Sequence, residues 1–422
     1  MAAGCWSNSW RVTGSKMQDQ QVVRLFTQEM RDDPYPFYRW LRAHAPVHYD
    51  AEHRFWLLSR YADVAAALHD PRLRSQRSAA LERLKARGEE DLAMIFAAQD
   101  DMTLFCDPPK HTRLRSLMQK AFTPRALDAM RASVAQIVDE LIAEASPAGS
   151  VELMDQFANR LPMFVIAEML GVPRAHRERF IAWVNDFNTF TGKVNTTAEE
   201  NDRAVRSMRA MFAYFGERIE HLRAAPQDNL LGELVRAEVQ GDRLTHHELL
   251  ANCALLLAAG YETTANLIGN GMLALLSHPQ QLCRLRQQPW LMAGAVEEMI
   301  RYDGSVQFSG RQANEDLTLG GRTIHAGEFV MLLFGSANRD EARFARPDEF
   351  DITRGDNKHL GFGHGVHYCL GAPLARMEAQ IAFTALLARW PNVRLAVAPE
   401  EIEWRDNFSV RGVTALPLAF DS

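Results

Sequence analysis

Cysteine is scarce in this chain: five occur among 422 residues, at positions 5, 106, 253, 283 and 369, far apart and with no Cys-x-x-Cys pair. Neither a disulfide framework nor a zinc knuckle is indicated, and a reducing, cytoplasmic setting is expected. No signal peptide is expected either, because residues 1–17 (MAAGCWSNSWRVTGSKM) hold no unbroken apolar run of the necessary length. Residues 1–20 read as a flexible tail. The most apolar stretch, Cys253 to Leu276, would reach across a bilayer, but Glu262, Thr263, Thr264, Asn266 and Asn270 interrupt it. It reads as a buried helix, and no membrane anchor is expected. Positive charge is not in excess: 47 Lys and Arg against 53 Asp and Glu leave −6, which excludes a general polyanion binder and argues for no nucleic-acid partner. With 25 glycines and 18 prolines, the chain is neither collagen-like nor low-complexity.

What is present is apolar periodicity. From Tyr61 to about Trp290 nearly every segment repeats apolar residues every 3.6 positions, as in 124–144, 156–170, 199–223 and 245–276, which predicts helices. A further helix is predicted over 372–389. Short β-prone runs predict a hairpin over 47–58, strands within 317–333 around a Gly-Gly and an Ala-Gly turn, and short strands between 393 and 420. No fixed-period repeat and no Pro/Gly/Ser-rich linker divides the chain. Residues 21–422 therefore read as one domain, mainly α with minor β.

The most informative stretch is 361–371, GFGHGVHYCLG, in which four glycines surround one cysteine just ahead of an apolar helix. Clustered glycines let a backbone adopt positive φ and approach a flat ligand closely. The helix that follows places its N-terminus near the sulfur and favours thiolate. An isolated thiolate on such a loop suits an axial haem ligand. The plain alternative is a small buried cysteine.

The ten residues from Phe362 to Gly371 match the pattern Phe-Gly-x-Gly-x-His-x-Cys-x-Gly, and so the chain resembles the cytochromes P450. AGYETT at 259–264, Glu298-x-x-Arg301 and NRDEARFARPDEFD at 338–351 match further family motifs in the same chain order. The resemblance runs from about Asp33 to Phe420 and is strongest to soluble bacterial members, through DPPKHTRLR and HYCLGAPLARME. A zinc site built from His359, His364, His367 and Cys369 is the rival chemistry. It would leave the glycines idle and the three distant motifs unexplained.

The resemblance implies the cytochrome P450 fold, with haem b between a long central helix and the cysteine loop, and Cys369 as the axial ligand of the iron. Phe362, Gly363 and Gly371 would shape the cysteine side, and Ala259 and Gly260 would leave room on the other side. Thr263 would hydrogen-bond the oxygen being activated, and Glu262 would link that place to solvent. The competing possibility is that Thr263 bonds back to the carbonyl four residues earlier and Glu262 lies on the surface. His111, Arg115, Arg311 and His367 match the positions that hold the haem propionates. Glu298 and Arg301 would be structural, with Arg346 as the expected third member. Substrate contacts would fall in a variable loop over 81–105, in 187–194, at Leu255 and Ala259, and at Val306 and Phe308.

The implied activity is that of a haem-thiolate monooxygenase inserting one atom of O2 into a lipophilic small molecule, by hydroxylation or epoxidation, in secondary or specialised metabolism. The chain lacks a ferredoxin cysteine set and a dinucleotide-binding glycine unit. Electrons from NAD(P)H would arrive through a separate ferredoxin and ferredoxin reductase, delivered to a monomer. Five Lys/Arg and no Asp/Glu between Lys110 and Arg125 suit docking of an acidic donor. Peroxide-driven oxidation, desaturation or coupling on the same fold is one alternative. A haem-binding sensor or carrier without turnover is another.

Overall fold

The computed structural model describes residues 25–421 apart from 77, 146–148, 194, 228 and 240–243; the tail expected at 1–20 lies outside the described residues. Helices occupy Pro124–Ala145, Arg160–Met169, Ala198–Ala224, His246–Ser277 and Ala372–Arg389, close to the periodic segments. Thr197 and Thr245 start two of them. Each hydroxyl accepts from the amide of the glutamate three residues on, and that glutamate accepts from the threonine's own amide, which satisfies two otherwise orphaned donors. The helix predicted over 156–170 begins later, at Arg160, because Met154–Ala158 forms a π turn. The variable loop expected over 81–105 is instead helical, in Ser78–Ala86, Glu90–Asp101 and Thr103–Phe105. Its many Ala, Leu, Glu and Met residues are strong helix formers.

The helix His246–Ser277 has 32 residues, about 48 Å at 1.5 Å per residue, and forms the axis of the helical part. It packs on Arg160–Met169, Ala198–Ala224, Met292–Asp303 and Ala372–Arg389. Gly271 permits the last two approaches, since a Cβ there would lie 2.7 Å from Met299 Sδ and 2.8 Å from Phe383 Cζ. The apolar stretch 253–276 is thus buried by other helices, and among the described residues no helix is long and apolar enough to cross a membrane.

A five-stranded sheet lies beside the helices, in the order Val47–Asp50, Phe55–Leu58, Phe329–Leu333, Phe308–Ala313, Leu73–Arg74. The hairpin predicted over 47–58 is present, pairing Val47 with Leu58 and Asp50 with Phe55. Leu317–Leu319 and Arg322–Ile324 pair across the Gly320–Gly321 turn, where φ is +53° and +75°. Arg394–Leu395 and Pro417–Ala419 join Ser150–Glu152 in a three-stranded sheet. The strand Phe308–Ala313 has no apolar alternation to announce it. Its ladder with Phe329–Leu333 creates it.

Glu298 and Arg301 are fully buried. Arg301 Nε and Nη2 donate to the two Glu298 carboxylate oxygens, both at 2.8 Å, and its guanidinium also donates to the carbonyls of Asn338, Pro347 and Glu349 at 2.7–3.0 Å. The third member is Arg354, whose Nε donates to Glu298 at 3.0 and 3.2 Å. Arg346 does not fill the place expected of it. The chain turns there with φ +48°, leaving its side chain 68% exposed and paired with Glu349.

Glu378, on the helix Ala372–Arg389, is buried, and its Oε2 has no hydrogen-bond partner among the described residues. Burial pushes its carboxyl up to about 8. The unfolded chain therefore releases this proton at lower pH than the folded one, so stability falls as pH rises from the ordinary carboxylate range towards 8, by up to about 1.4 kcal/mol per pH unit in that window. Glu378→Gln is expected to remove that loss. Thermal melts between pH 5 and 8 should show the variant gaining on the parent as pH rises, and parallel curves would refute it.

Candidate active site

The cysteine loop is held before the helix begins. The Leu360 amide donates to Asn338 Oδ1 at 2.7 Å, the Gly363 amide to the Leu360 carbonyl at 2.8 Å, and the Cys369 amide to the Phe362 carbonyl at 2.9 Å. Gly363 and Gly365 have φ of +68° and +70°, and at Gly365 a Cβ would lie 2.7 Å from the Leu68 carbonyl oxygen. Reversal of the loop therefore requires glycine. Gly371 differs, because its φ is −83° and a Cβ would meet no protein atom within 4 Å. Neither backbone nor protein packing demands glycine there.

Cys369 is partly buried, three residues before Ala372–Arg389. Burial pushes its thiol up, while the Gly371 and Ala372 amides and the charges of Arg115 and Arg376 pull the other way. A coordinated metal settles that contest by holding the sulfur as thiolate. The histidines of the rival zinc set do not converge on the sulfur. His359 Nε2 meets Glu297 at 3.1 Å, the His364 ring lies tilted against that of His69 at 4.5 Å between centroids, and His367 Nε2 meets Ser75 Oγ at 3.2 Å.

Next to the loop, the helix Lys110–Met118 carries His111 and Arg115 one turn apart. His111 is 2% exposed, its ring lies 4.3 Å from that of His367, and neither of its ring nitrogens has a hydrogen-bond partner among the described residues. Burial, and then the nearby His367 and Arg115, push its pKa down to about 4, so the ring is neutral. Arg115 is half-buried and has no carboxylate partner among the described residues. Burial lowers its pKa, and the Cys369 sulfur works against that. Arg311 is buried on Phe308–Ala313, where its Nη1 donates to Ser309 Oγ at 2.7 Å and the Gly310 carbonyl at 2.8 Å. Arg74, which pairs with Gln312 beside Arg311, is followed by Ser75, whose Oγ touches His367 Nε2.

The structure thus gathers Cys369, Arg115, His111 and His367, with Arg311 on the strand that pairs with Leu73–Arg74 just before Ser75. A buried imidazole with unbonded nitrogens beside a half-buried guanidinium without a counterion needs anionic acceptors. Two carboxylates on a flat ligand, as on haem, fit that need and the open flank of Gly371. Of the five cations counted between Lys110 and Arg125, Lys110 pairs with Asp101 at 2.6 Å and Arg113 with Glu248. Lys120 and Arg125 are exposed.

On the central helix, residues 249–258 are buried, yet Ala259 is exposed and Gly260 and Thr263 keep accessible surface. Thr263 Oγ1 donates to the Ala259 carbonyl at 2.8 Å, and Ser305 Oγ donates to the Thr263 carbonyl at 2.6 Å. The back-bond considered for Thr263 therefore exists, but a surface position for Glu262 does not. Glu262 is 5% exposed and turned towards Arg405 Nη1 at 3.9 Å and Asn407 Nδ2 at 3.5 Å. Burial pushes its carboxyl up, against the Arg405 charge and the Asn188 and Asn407 amides. Among the described residues no hydrogen bond joins Glu262 to Thr263. Of the substrate positions, Leu255 and Phe187 are buried, Val306 bridges to Val410, and Phe308 opens its strand.

Arg405, Asn407, Ser305 and Ser75 were not singled out by the sequence. None belongs to a motif, and each reaches the site across at least 42 residues of chain.

The cytochrome P450 family model matches residues 54–289 and 290–404. The chain is 38% identical over 404 residues to the polyketide biosynthesis cytochrome P450 PksS of Bacillus subtilis, covering 93% of this chain and 97% of that protein. It is 41% identical over 398 residues to the cytochrome P450 monooxygenase PikC of Streptomyces venezuelae, covering 93% and 92%. Among solved structures, that of P450BioI in complex with an acyl carrier protein ligated to hexadec-9Z-enoic acid is similar with a TM-score of 0.87, at 38% identity, over 93% of this chain and 100% of that one.

Proposed function

Because this chain belongs to the cytochrome P450 family, whose members carry haem b and take electrons from NAD(P)H through redox proteins, we propose that it inserts one oxygen atom of O2 into a lipophilic small molecule by hydroxylation or epoxidation. The observation that carries the reading is the anion-seeking cluster of His111, Arg115 and His367 beside the Cys369 loop. Haem, when bound, supplies the binding and reductive activation of O2.

The chain's own residues then have separable roles. Cys369 would hold the haem iron; burial pushes its thiol up, two backbone amides and the charges of Arg115 and Arg376 favour the anion, and the bound metal would complete the ionisation. Arg115, His111, His367 and Arg311 would hold the propionates, with the neutral His111 ring able to donate one N–H. Phe362, Gly363 and Gly371 shape the cysteine side, and Ala259 and Gly260 keep the central helix thin at the reacting place. Thr263 has its hydroxyl hydrogen committed to the Ala259 carbonyl, so its oxygen presents lone pairs and accepts from a water or another proton-bearing oxygen there. Glu262 holds a proton more readily than an ordinary carboxyl does. Lacking a direct bond to Thr263, it passes that proton through water. A ferredoxin and its reductase are the proposed donors, with the exposed Lys120 and Arg125 available to an acidic surface.

Thr263→Ala is expected to keep haem and substrate binding and still consume NAD(P)H with a donor system. Product per NAD(P)H should fall several-fold while hydrogen peroxide rises. Glu262→Gln should slow NAD(P)H consumption. If Thr263 matters only to its helix, alanine is neutral or slightly stabilising. Parental coupling in Thr263→Ala would therefore remove the relay while leaving Cys369 in place. A substrate delivered on an acyl carrier protein is a second reading, favoured by the likeness to P450BioI in such a complex. Comparing the spectral shift produced by a free fatty acid with that produced by the same acyl group on a carrier protein separates the two.

A further inference from the structure

Behind the cysteine loop lies an ion pair whose arginine favours the Cys369 anion and whose carboxylate the reaction as described does not use. Arg376, two turns along Ala372–Arg389 from Cys369, donates from Nε and Nη2 to the two carboxylate oxygens of Glu297 at 2.6 and 2.9 Å. Its Nη1 donates to Tyr368 Oη at 3.1 Å, and its guanidinium carbon stands 4.4 Å from the centroid of the Phe362 ring. Phe362 is the residue whose carbonyl accepts from the Cys369 amide. Glu297 sits on the neighbouring helix Met292–Asp303, backed by His359, whose Nδ1 accepts from the Gly361 amide at 3.2 Å and whose Nε2 therefore donates to the carboxylate at 3.1 Å.

The pair is a fixed and oriented dipole. Burial opposes the charge on Glu297, but the bonds from Arg376 and His359 outweigh it and hold the carboxyl at about 2. Glu297 in turn raises the Arg376 pKa further. Both groups stay charged at any working pH. Both side chains are only partly exposed, so water screens them less than it would a surface pair. The orientation is set by the contacts: the cationic end stacks on Phe362 and bonds Tyr368, the two residues that flank the sulfur's own turn, while the anionic end faces the next helix.

We propose that Arg376 and Glu297 set the reduction potential of the haem held by Cys369, the arginine raising it and the glutamate moderating that effect. This rests on the reading of Cys369 as the axial ligand. On reduction, ferric haem takes one electron from the redox protein and becomes ferrous; no bond is made or broken, so the site gains one negative charge. A fixed cation on the cysteine side stabilises the added charge, and a fixed anion opposes it. Arg376 is thus a positioning residue for charge and contacts neither substrate nor oxygen.

The test is potentiometric titration of the holoenzyme and its variants, each first checked for the thiolate-type Soret band of the reduced CO complex. Arg376→Gln is expected to lower the potential, and Glu297→Gln to raise it. The double variant should return towards the parent, and Arg376→Lys, which keeps the charge and loses the fork, should stay close to it. A purely structural role predicts otherwise, because either single change breaks the same two-pronged bond and would shift the potential in one direction. Shifts of the same sign, or none in either single variant, overturn the proposal. If Arg376→Gln does not retain haem, Arg376→Lys and Glu297→Gln still decide it: a potential unmoved in Glu297→Gln, or lowered there, refutes it. A parent protein without the thiolate-type band would instead refute the ligand assignment, a result read before any variant is titrated.

Discussion

Cys369→Ser is expected to abolish product formation and the thiolate-type Soret band of the reduced CO complex while leaving the fold intact. A serine hydroxyl stays protonated where a metal-bound cysteine sulfur ionises, so the two backbone amides and the nearby arginines, which favour a Cys369 anion against its burial, would have none to favour. The loop should survive, because its bonds run between backbone groups, from the Cys369 amide to Phe362 and from Gly363 to Leu360. No other described cysteine is placed to substitute. Burial pushes the Cys106 thiol up to about 11 and raises that of Cys253, and Cys283 lies on the surface. Far-UV circular dichroism checks the fold, and the CO difference spectrum checks the ligand. A thiolate-type band persisting in the variant would mean that another sulfur binds the iron.

Arg301→Ala should be the most destabilising of the single changes considered, by about 3–5 kcal/mol, the usual penalty for removing one partner of a buried ion pair. Glu298 would keep Arg354, Asn357 and the Asp351 amide but lose a two-pronged bond, and the Asn338 and Pro347 carbonyls would lose their donor while that of Glu349 keeps Arg354. Arg301→Lys should restore little, since an ammonium cannot reproduce the planar fork that reaches Glu298 and those carbonyls together. Arg346→Ala, by contrast, should change stability by no more than about 0.5 kcal/mol, as exposed side chains usually do. Urea unfolding followed by haem absorbance and by tryptophan fluorescence measures all three. Equal losses in Arg301→Ala and Arg346→Ala would refute the assignment of the buried pair and restore Arg346 to a structural role.

The contrast between those two arginines marks where reading a linear chain stops. Glu298 and Arg301 could be paired from spacing alone, because residues three apart share a helix face. Choosing their third partner required knowing which arginine of the segment after 338 returns to that helix. That depends on the turn at Arg346, whose positive φ no residue type announces. The long helix over 245–276, the hairpin at 47–58 and the cysteine loop were legible because each is local. Apolar periodicity, β-prone runs around a turn, or a cluster of glycines encodes them within a few turns of chain.

Composition and local pattern therefore determined the helical class, the place of Cys369 and the residue types around it. Tertiary structure alone decided which groups face one another. It placed the strand Phe308–Ala313, which exists through its pairing with Phe329–Leu333, brought Ser75 to His367, and turned Glu262 towards Arg405 and Asn407, more than 140 residues away. It also laid Arg376 over Phe362 and bound it to Glu297 on another helix. The physical reason is common to all of these: burial and charge are properties of a site assembled from distant segments, and a side chain's proton affinity or partner is set by neighbours that its own stretch of sequence does not contain.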